Sequence, residues 1–283
     1  MKFFLKKTWV FLELLFKSIV SCVLIIIFSS IKVAIHTKKC CLKEKKGSKI
    51  IVLGNGPSLK KVLEQGFWNT NIDCMALNSF VISEWFWKLK PKYYYLADDA
   101  FWNPTNERTK KISSDFIENM NKVSWPIELY IPTQKNIKNL KEKLTNTNVS
   151  FCRMNTIQVD GFKCFRNFIY RIYMGAPNCQ TVLNMTLVSA INKGYKTIYL
   201  YGADHSWTKD LSVNENNEVI YGDRHVYNTN LTATKLDKKI GDLLSDYANM
   251  FKSHYIIRTY ADSVNCKIIN CTEGSFVDAY ERE

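Results

Sequence analysis

The chain has 283 residues, 46% of them hydrophobic, so it is large enough to bury a core and is not a disordered segment. Its nine cysteines are odd in number and contain no Cys-x-x-Cys spacing, which excludes a regular disulfide framework and favours a reducing compartment. The net charge of +13 comes largely from lysines around the N-terminal segment and in 135–143, without interleaved aromatic residues. We interpret it as attraction to an anionic membrane or a phosphorylated substrate, and we expect no nucleic acid partner.

The first predicted element is a membrane anchor helix over residues 1–36, because Trp9–Ile35 is largely apolar. Its uninterrupted centre, Ser18–Ile31, is shorter than the roughly 20 residues that a spanning helix needs, and Lys17 and Lys32 border it. Since lysine side chains can extend back to the interface, a transmembrane span and a helix lying in one leaflet both stay open. No small-x-small cleavage site follows, so a cleaved signal peptide is not expected.

The lysines on either side of this segment predict its orientation. Three precede it and six follow it up to Lys49. By the positive-inside rule, the body of the protein lies on the cytosolic side of the inner (cytoplasmic) membrane. Residues 37–48 are predicted to be a basic linker that binds anionic headgroups, and 49–283 a nucleotide-binding catalytic domain.

Short apolar runs alternate with helical stretches along the body. Predicted strands are Lys49–Leu53, Cys74–Leu77, Tyr93–Ala97, Glu128–Ile131, Thr197–Tyr201 and Lys267–Asn270, and predicted helices are Ser58–Gln65, Thr109–Lys122, Thr181–Lys193, Leu236–Met250 and Phe251–Ala261. This alternation predicts an α/β fold with a doubly wound, mostly parallel sheet, Rossmann-like and a variant of the GT-A type. The polar stretch of about 203–234 lacks periodicity, and we predict that it is an active-site loop or lid.

A glycine-rich turn follows the first predicted strand. Its sequence is Gly54-Asn55-Gly56-Pro57-Ser58-Leu59. Glycines let the backbone turn sharply and approach phosphate oxygens, Pro57 suits the first turn of a helix, and Ser58 can cap that helix. The pattern predicts an anion site at a helix N-terminus, with Gly54 to Ser58 around a nucleotide. It is neither a Walker loop nor a full dinucleotide fingerprint.

Two further blocks follow in order: Cys74-Met-Ala-Leu-Asn78, and a helix over Thr181–Ala190 that leads into Gly194-Tyr-Lys-Thr-Ile-Tyr-Leu-Tyr-Gly-Ala-Asp204-His205. Together with the turn, they resemble the bacterial family 42 (CMP-sialic acid) sialyltransferases and the wider MptE-like (6-hydroxymethylpterin pyrophosphokinase-like) group. The resemblance covers about residues 50 to 280 and is carried by short blocks. After Gly-x-Asp the sialyltransferases have aromatic residues, whereas this chain continues with His205-Ser206-Trp207.

The resemblance implies roles for individual residues. Asn55, Ser58 and Asn78 would contact the nucleotide. A histidine beyond the Gly-x-Asp strand would be the general base that takes the acceptor proton, with His225 as the first candidate and His205 as its competitor. Tyrosine hydroxyls would hold the leaving phosphate, for which Tyr221 and Tyr227 are the candidates. Histidine suits the role of base because its ordinary pKa lies near neutrality.

The remaining candidates lie where predicted strands or turns end. Asp98, Thr181 and Gly202 are assigned to the nucleotide, Asp204 to catalysis, and Arg224 to a phosphate or carboxylate. No cofactor is expected to be required and no metal ligand is assigned. Mg²⁺ or Mn²⁺ enters only if the donor is a diphosphate that Asp98 or Asp204 would help to hold.

These features predict a membrane-anchored glycosyltransferase that moves a sugar from a nucleotide donor, CMP-linked in one version, to a lipid-linked or surface glycan acceptor. Expected partners are the nucleotide sugar, a glycan or glycolipid and membrane lipids, and a homo-oligomer is left open. Two alternatives remain. One is an MptE-like diphosphotransferase that acts on a hydroxymethylpterin with ATP, and the other is a non-catalytic nucleotide-binding protein of envelope assembly.

Overall fold

The computed structural model describes residues 2–41, 47–66, 71–225 and 228–283. The helices are α1 (Lys2–Phe28), α2 (Ile31–Cys41), α3 (Ser58–Glu64), α4 (Glu84–Leu89), α5 (Glu107–Asn121), α6 (Lys138–Lys143), α7 (Lys163–Arg171), α8 (Val182–Asn192) and α9 (Ile240–Asp262). The strands are β1 (Lys49–Leu53), β2 (Asp73–Leu77), β3 (Tyr93–Tyr95), β4 (Ile127–Pro132), β5 (Val149–Met154), β6 (Thr197–Tyr201), β7 (Ser212–Val213), β8 (Val219–His225), β9 (Asn228–Leu236), β10 (Lys267–Asn270) and β11 (Glu281–Arg282). Three 3-10 helices cover Asn78–Ile82, Asp99–Phe101 and Trp207–Asp210.

Eight strands form one sheet in the order β11-β10-β6-β1-β2-β3-β4-β5, and every pair in it is parallel. The chain builds outward from β1 to β5 and then returns to add β6 on the other side of β1. The strand order therefore reverses between β1 and β6, and ligands of such sheets bind beyond the carboxyl ends of the strands at that point. The predicted α/β fold with a mostly parallel sheet is confirmed.

Both faces of the sheet are buried, which explains why β1 reads as an unbroken apolar run. Alternate side chains enter opposite cores: Ile50 and Val52 lie in one, Ile51 and Leu53 in the other. Residues of α8 and α9 cover the first face, and residues of α3 and α5 cover the second. Because each strand is packed on both faces, its position in the sheet is fixed, and so are the positions of the loops that follow its carboxyl end.

Three predicted elements differ from the structure. The two helices predicted over 236–261 are one helix, α9, since no proline and no interior glycine interrupts it, and Leu236 instead ends β9. The segment 203–234 was predicted to be irregular, but it contains a 3-10 helix and the antiparallel sheet β7-β8-β9. Whether it closes over a ligand stays a prediction. Strand β5 and helix α7 have no counterpart among the predicted elements.

The N-terminal segment is helical and lies against the body. Within the described residues, Lys6–Phe28 is the stretch that is long and apolar enough to cross a membrane, judged by length and composition. The predicted linker over 37–48 is partly helical, because α2 continues to Cys41, and Ala34 of α2 is buried. Residues 42–46 of that linker lie outside the described residues.

Candidate functional site

A pocket of about 560 Å³ lies at the carboxyl ends of β1, β2, β3 and β6, where the strand order reverses. Its size is typical of small-molecule sites. Ten of the predicted site residues line it: Gly54, Asn55, Gly56, Pro57, Asn78, Asp98, Thr181, Gly202, Asp204 and His205. The fold thus brings these candidates together around one pocket, and their roles stay predictions.

The glycines of the turn let two loops pack against each other. Gly54 N donates to the Tyr201 carbonyl at 2.7 Å, and Gly56 N donates to the Gly202 carbonyl at 2.9 Å. A Cβ on Gly54 would lie 2.7 Å from the Gly202 carbonyl carbon, and Gly202 itself has a φ of +66°. The loops after β1 and β6 are thus in backbone contact, and this contact is enough to require glycine at these positions.

The anion site predicted at the start of α3 is occupied by a carboxylate of the chain itself. Asp204 Oδ2 accepts a hydrogen bond from Ser58 Oγ at 2.7 Å, and Oδ1 accepts one from Ser58 N at 3.2 Å. Burial raises the pKa of Asp204, and the two bonds from Ser58 oppose that rise. Ser58 therefore binds Asp204 through both its hydroxyl and its backbone amide, and whether the turn also binds a phosphate stays a prediction.

The C-terminal end of the chain supports this carboxylate. Ala203 N donates to Thr272 Oγ1 at 3.0 Å, Ser275 Oγ donates to the Ala203 carbonyl at 2.6 Å, and Phe276 N donates to the Asp204 carbonyl at 2.9 Å. Asp204 is therefore held from both sides, by α3 and by the segment after β10. A carboxylate fixed in this way organises the pocket wall.

Two asparagines mark the pocket wall beyond β1 and β2. Asn55 Nδ2 donates to the Leu77 carbonyl at 3.2 Å, while its Oδ1 is buried without a partner in the described structure. Asn78 has a φ of +46° and its Oδ1 accepts a bond of 3.4 Å from Ala97 N. A buried carbonyl oxygen that lacks a donor costs free energy, about 1–3 kcal/mol, and a bound ligand with an N–H or O–H group can remove that cost.

The opposite wall is the N-terminus of α8. Thr181 is its N-cap and accepts a bond from Asn184 N, which leaves the amides of Val182 and Leu183 with no intrahelical partner. These residues line the pocket, as does Lys209. The N-terminus of a helix of 11 residues favours negative charge, so the pocket has an anion-favouring group at α8, whereas Lys209 lies close enough to Asp204 to oppose the rise that burial causes in the pKa of that carboxyl. Sequence reasoning missed Lys209 because it stands in the segment without periodicity.

His205 is the end of a buried chain of polar groups. Its Nε2 lies 3.1 Å from Nε2 of His254, whose Nδ1 lies 2.9 Å from the Tyr280 hydroxyl. The ring also stacks on Trp207 at 4.7 Å. Burial lowers the pKa of His205 to about 3, and it lowers the pKa of His254 well below its ordinary value. His205 is therefore neutral and weakly basic, and only its Nδ1 remains for a ligand, since Nε2 is engaged within the protein.

The acidic pair after β3 has structural partners. Asp98 Oδ1 accepts from Ala100 N at 2.9 Å and caps a 3-10 helix, while Asp99 lies 2.8 Å from Lys135 Nζ. The hydrogen bond from Lys135 lowers the pKa of Asp99. No cluster of three or more His, Cys, Asp or Glu side chains in the described part of the chain is placed to hold a metal ion. Metal dependence stays open.

The remaining candidates belong to the small antiparallel sheet. The backbone of Arg224 and His225 lies in β8, which continues from Gly222 on the pocket wall. Tyr221 is half-buried near Tyr247, whose pKa is raised by burial first and by Tyr221 second. Tyr227 lies outside the described residues. At about 3.3 Å per residue, His225 is about 10 Å along the strand from Gly222.

Comparisons with known proteins add little to this geometry. Neither a scan against protein-family models nor a search of curated proteins found a match. A solved structure, that of the sialyltransferase CstII from Campylobacter jejuni in complex with a substrate analogue, cytidine-5'-monophosphate, is similar over 85% of this chain and 86% of that chain, with 15% sequence identity and a TM-score of 0.41. A similarity of this degree carries no functional argument, so function is argued from the pocket.

Proposed function

We propose that the chain is a glycosyltransferase that binds a nucleotide-activated sugar in the pocket between β1 and β6 and transfers the sugar to a glycan or glycolipid at a membrane surface. The observation that carries the proposal is the division of this pocket into two walls. One carries the amide groups of Asn55 and Asn78, and the other carries the α8 N-terminus, while Lys209 lines the same pocket close to Asp204. A nucleotide has the same two parts, a neutral base and ribose and an anionic phosphate.

The phosphate is assigned to the second wall. The amides of Val182 and Leu183 at the start of α8 favour an anion there, and the cation of Lys209 reaches the same pocket from beside Asp204. The base and ribose are assigned to the first wall, where the Asn55 Oδ1 can accept a hydrogen bond that no protein group supplies in the described structure. Asp204 fixes the loop between the two walls and does not itself receive the phosphate, since two bonds from Ser58 hold it.

In the transfer, the acceptor oxygen forms a bond to the anomeric carbon, the bond from that carbon to the phosphate oxygen breaks, and the acceptor proton passes to a base. His225 remains the proposed base, because His205 is a weak one: burial lowers its pKa to about 3. The proposed role of His205 is to position a ligand group through Nδ1. The phosphate leaves as the nucleotide, which the α8 N-terminus stabilises.

Thermal unfolding of the full chain with CMP, UDP, GDP and ATP tests the proposal. A ligand at a hundred times its dissociation constant should stabilise the protein by about 2.7 kcal/mol. Lys209→Ala should weaken binding of the preferred nucleotide by about tenfold, whereas Lys110→Ala, which removes an exposed lysine on α5, should leave it unchanged.

The outcomes separate the rival functions. Selective stabilisation by a nucleoside mono- or diphosphate, followed by sugar release from the matching donor, supports the transferase. Stabilisation by ATP alone would contradict it in favour of diphosphotransfer. Binding with no turnover for any donor would favour a non-catalytic nucleotide-binding protein, and no stabilisation by any of the four would remove the nucleotide site itself.

A further inference from the structure

Helix α1 has two different faces. Its less exposed positions recur at helical spacing and include Leu14, Lys17, Ser18, Ser21 and Ile25. The hydroxyl residues in the centre of the segment are therefore on the side that meets the body. The exposed face carries large apolar side chains, among them Trp9 at 71% exposed, Ile19 at 55% and Ile26 at 81%.

The docked face is held by hydrogen bonds and not by apolar packing alone. Ser21 Oγ donates to the Asp160 carbonyl at 3.0 Å and accepts from Asp160 N at 2.9 Å. Ser18 Oγ accepts from Phe162 N at 3.1 Å. Between these two contacts lies Gly161, with a φ of +114°, where a Cβ would lie 2.8 Å from Ser18 N. The loop before α7 thus uses glycine to bring the helix backbone close.

The contact continues beyond the end of α1. Ser29 Oγ donates to the Met174 carbonyl at 2.5 Å, and Ser30 N donates to Asn155 Oδ1 at 3.1 Å. The ring of Phe11 lies 5.4 Å from that of Phe162 near the other end. At about 1.5 Å per residue, the helix from Phe11 to Ser29 runs about 27 Å along the body, close to the thickness of a hydrocarbon core.

A helix held in this way cannot cross a bilayer without taking part of the body with it. Asp160 lies 3.5 Å from Lys17 Nζ and 3.6 Å from Arg166, so the middle of the docked face carries an ionic cluster. Charged side chains are strongly disfavoured in the hydrocarbon interior. A perpendicular helix would place this cluster and the open polar backbone of the loop near the bilayer centre.

The exposed face fits the surface of one leaflet. Phe168 of α7 and Ile172, just beyond its end, are also exposed, and Phe162 and Met174 on either side of this segment contact Phe11 and Ser29. Exposed lysines flank the apolar stretch at both ends: Lys6, Lys7, Lys32 and Lys38. Apolar side chains bordered by lysines are the composition that binds the interface of an anionic membrane.

We propose that α1 lies in the plane of one leaflet, with its serine face docked on the catalytic body and its apolar face in the anionic membrane, so that the N-terminus and the body stay on the same side. This attachment goes beyond the proposed sugar transfer and does not depend on which nucleotide binds. The flanking lysines contact the anionic headgroups, whereas Lys17 forms an ion pair with Asp160 on the docked face.

Tryptophan depth tests this in the full chain bound to vesicles of equal parts phosphatidylcholine and phosphatidylglycerol. Trp9 is one reporter, and Ile19→Trp and Ile26→Trp in a Trp9→Phe background are the others, with Trp9→Phe alone giving the signal of the body. Quenching is compared between phosphatidylcholines brominated at shallow and at deep acyl positions. The expected result is the same shallow preference at all three positions, since they share one exposed face.

A span gives a different profile: Ile19→Trp would be quenched by the deep lipid, and the two flanking reporters by the shallow one. That profile overturns the proposal. Removing phosphatidylglycerol should weaken vesicle binding about tenfold or more, given the flanking lysines, and unchanged binding would also overturn it. A chain that does not bind vesicles and instead self-associates would also overturn the proposal, because a second copy of the chain would then cover the apolar face of α1.

A topology measurement does not depend on the substituted proteins. Trypsin added to inverted membrane vesicles of an expressing bacterium should cut at Lys6 and Lys7 of the unmodified chain, since these lysines face the same side as the body. Protection of that end while the body is digested would establish a span and refute the in-plane helix.

Discussion

Gly56→Ala is expected to disrupt the pocket wall. A Cβ at this position would lie 2.5 Å from Asp204 Cγ, closer still to Oδ2, and 2.7 Å from the Gly202 carbonyl oxygen. Each of these contacts is shorter than an ordinary van der Waals separation. Asp204 must therefore leave Ser58, and the two loops must move apart. Overpacking costs about 1–3 kcal/mol, and losing the bonds of a charged group costs about 1.5–3 kcal/mol.

A double-mutant cycle tests whether the loss of stability in Gly56→Ala comes from its clash with Asp204. Asp204→Ala removes the nearest obstacle, so Gly56→Ala should cost less in that background, with a coupling of about 1–2 kcal/mol. Urea unfolding of the four proteins measures it. Gly241→Ala is the matched control, since a Cβ there meets nothing within 4 Å, and it should change stability by less than about 1 kcal/mol.

Additive effects, equal within about 0.5 kcal/mol, would refute the reasoning, because they would mean that Gly56 and Asp204 do not compete for space. A folded Gly56→Ala protein with full stability would refute it as well. In that case the glycine would be required by a ligand and not by the neighbouring loop, as the sequence motif alone suggests.

Three further predictions concern other groups. His225→Ala should lower turnover by roughly 10²–10⁴ at nearly unchanged donor affinity, and a larger loss in His205→Ala would assign the base to His205 instead. Burial lowers the pKa of His205 to about 3, and the pKa of His254 also falls, so both are neutral when folded and bind protons on unfolding. The contribution of His205 to stability is therefore complete above about pH 6.5 and falls toward pH 3 by about 1.4 kcal/mol per pH unit, and His254 changes stability in the same direction, which urea unfolding across this range measures; a flat profile contradicts the buried pair. Ser21→Ala should cost about 1–3 kcal/mol in detergent-solubilised full chain, because Asp160 loses both bonds, whereas exposed Cys22→Ala should cost less than about 0.5 kcal/mol; equal values would mean that α1 is not docked.

The sheet was predictable because its strands carry a local signal. Lys49–Leu53, Thr197–Tyr201 and Lys267–Asn270 are predicted and observed with the same limits, since each is a short run rich in apolar and β-branched residues. β5 was missed because its Ser150 and Arg153 interrupt the apolar pattern. It is an edge strand of the sheet, and α2 covers it through contacts distant in sequence.

The place of the pocket was predictable, but the partners inside it were not. The rule that ligands bind at the carboxyl ends of strands singles out Asn78, Asp98 and Asp204, and all three line the pocket. The pairing of Asp204 with Ser58 joins residues 146 apart in the chain, and that of His205 with His254 joins residues 49 apart. No local pattern contains such pairs, so the sequence alone does not show that the two donors of Ser58 have an internal acceptor.

The N-terminal segment shows the same limit in another form. Its average apolarity predicts a membrane helix, and averaging removes the information that matters most, namely which side each serine faces. Ser18 and Ser21 are polar enough to hydrogen-bond to a loop and too few to lower the average below that of a spanning helix. Ala34 and Thr37 are also buried. The residues before the predicted domain boundary at residue 48 therefore pack against the residues after it. A chain shortened to begin at residue 49 would expose the face that α1 and α2 cover, and it would lose part of the packing that supports the body.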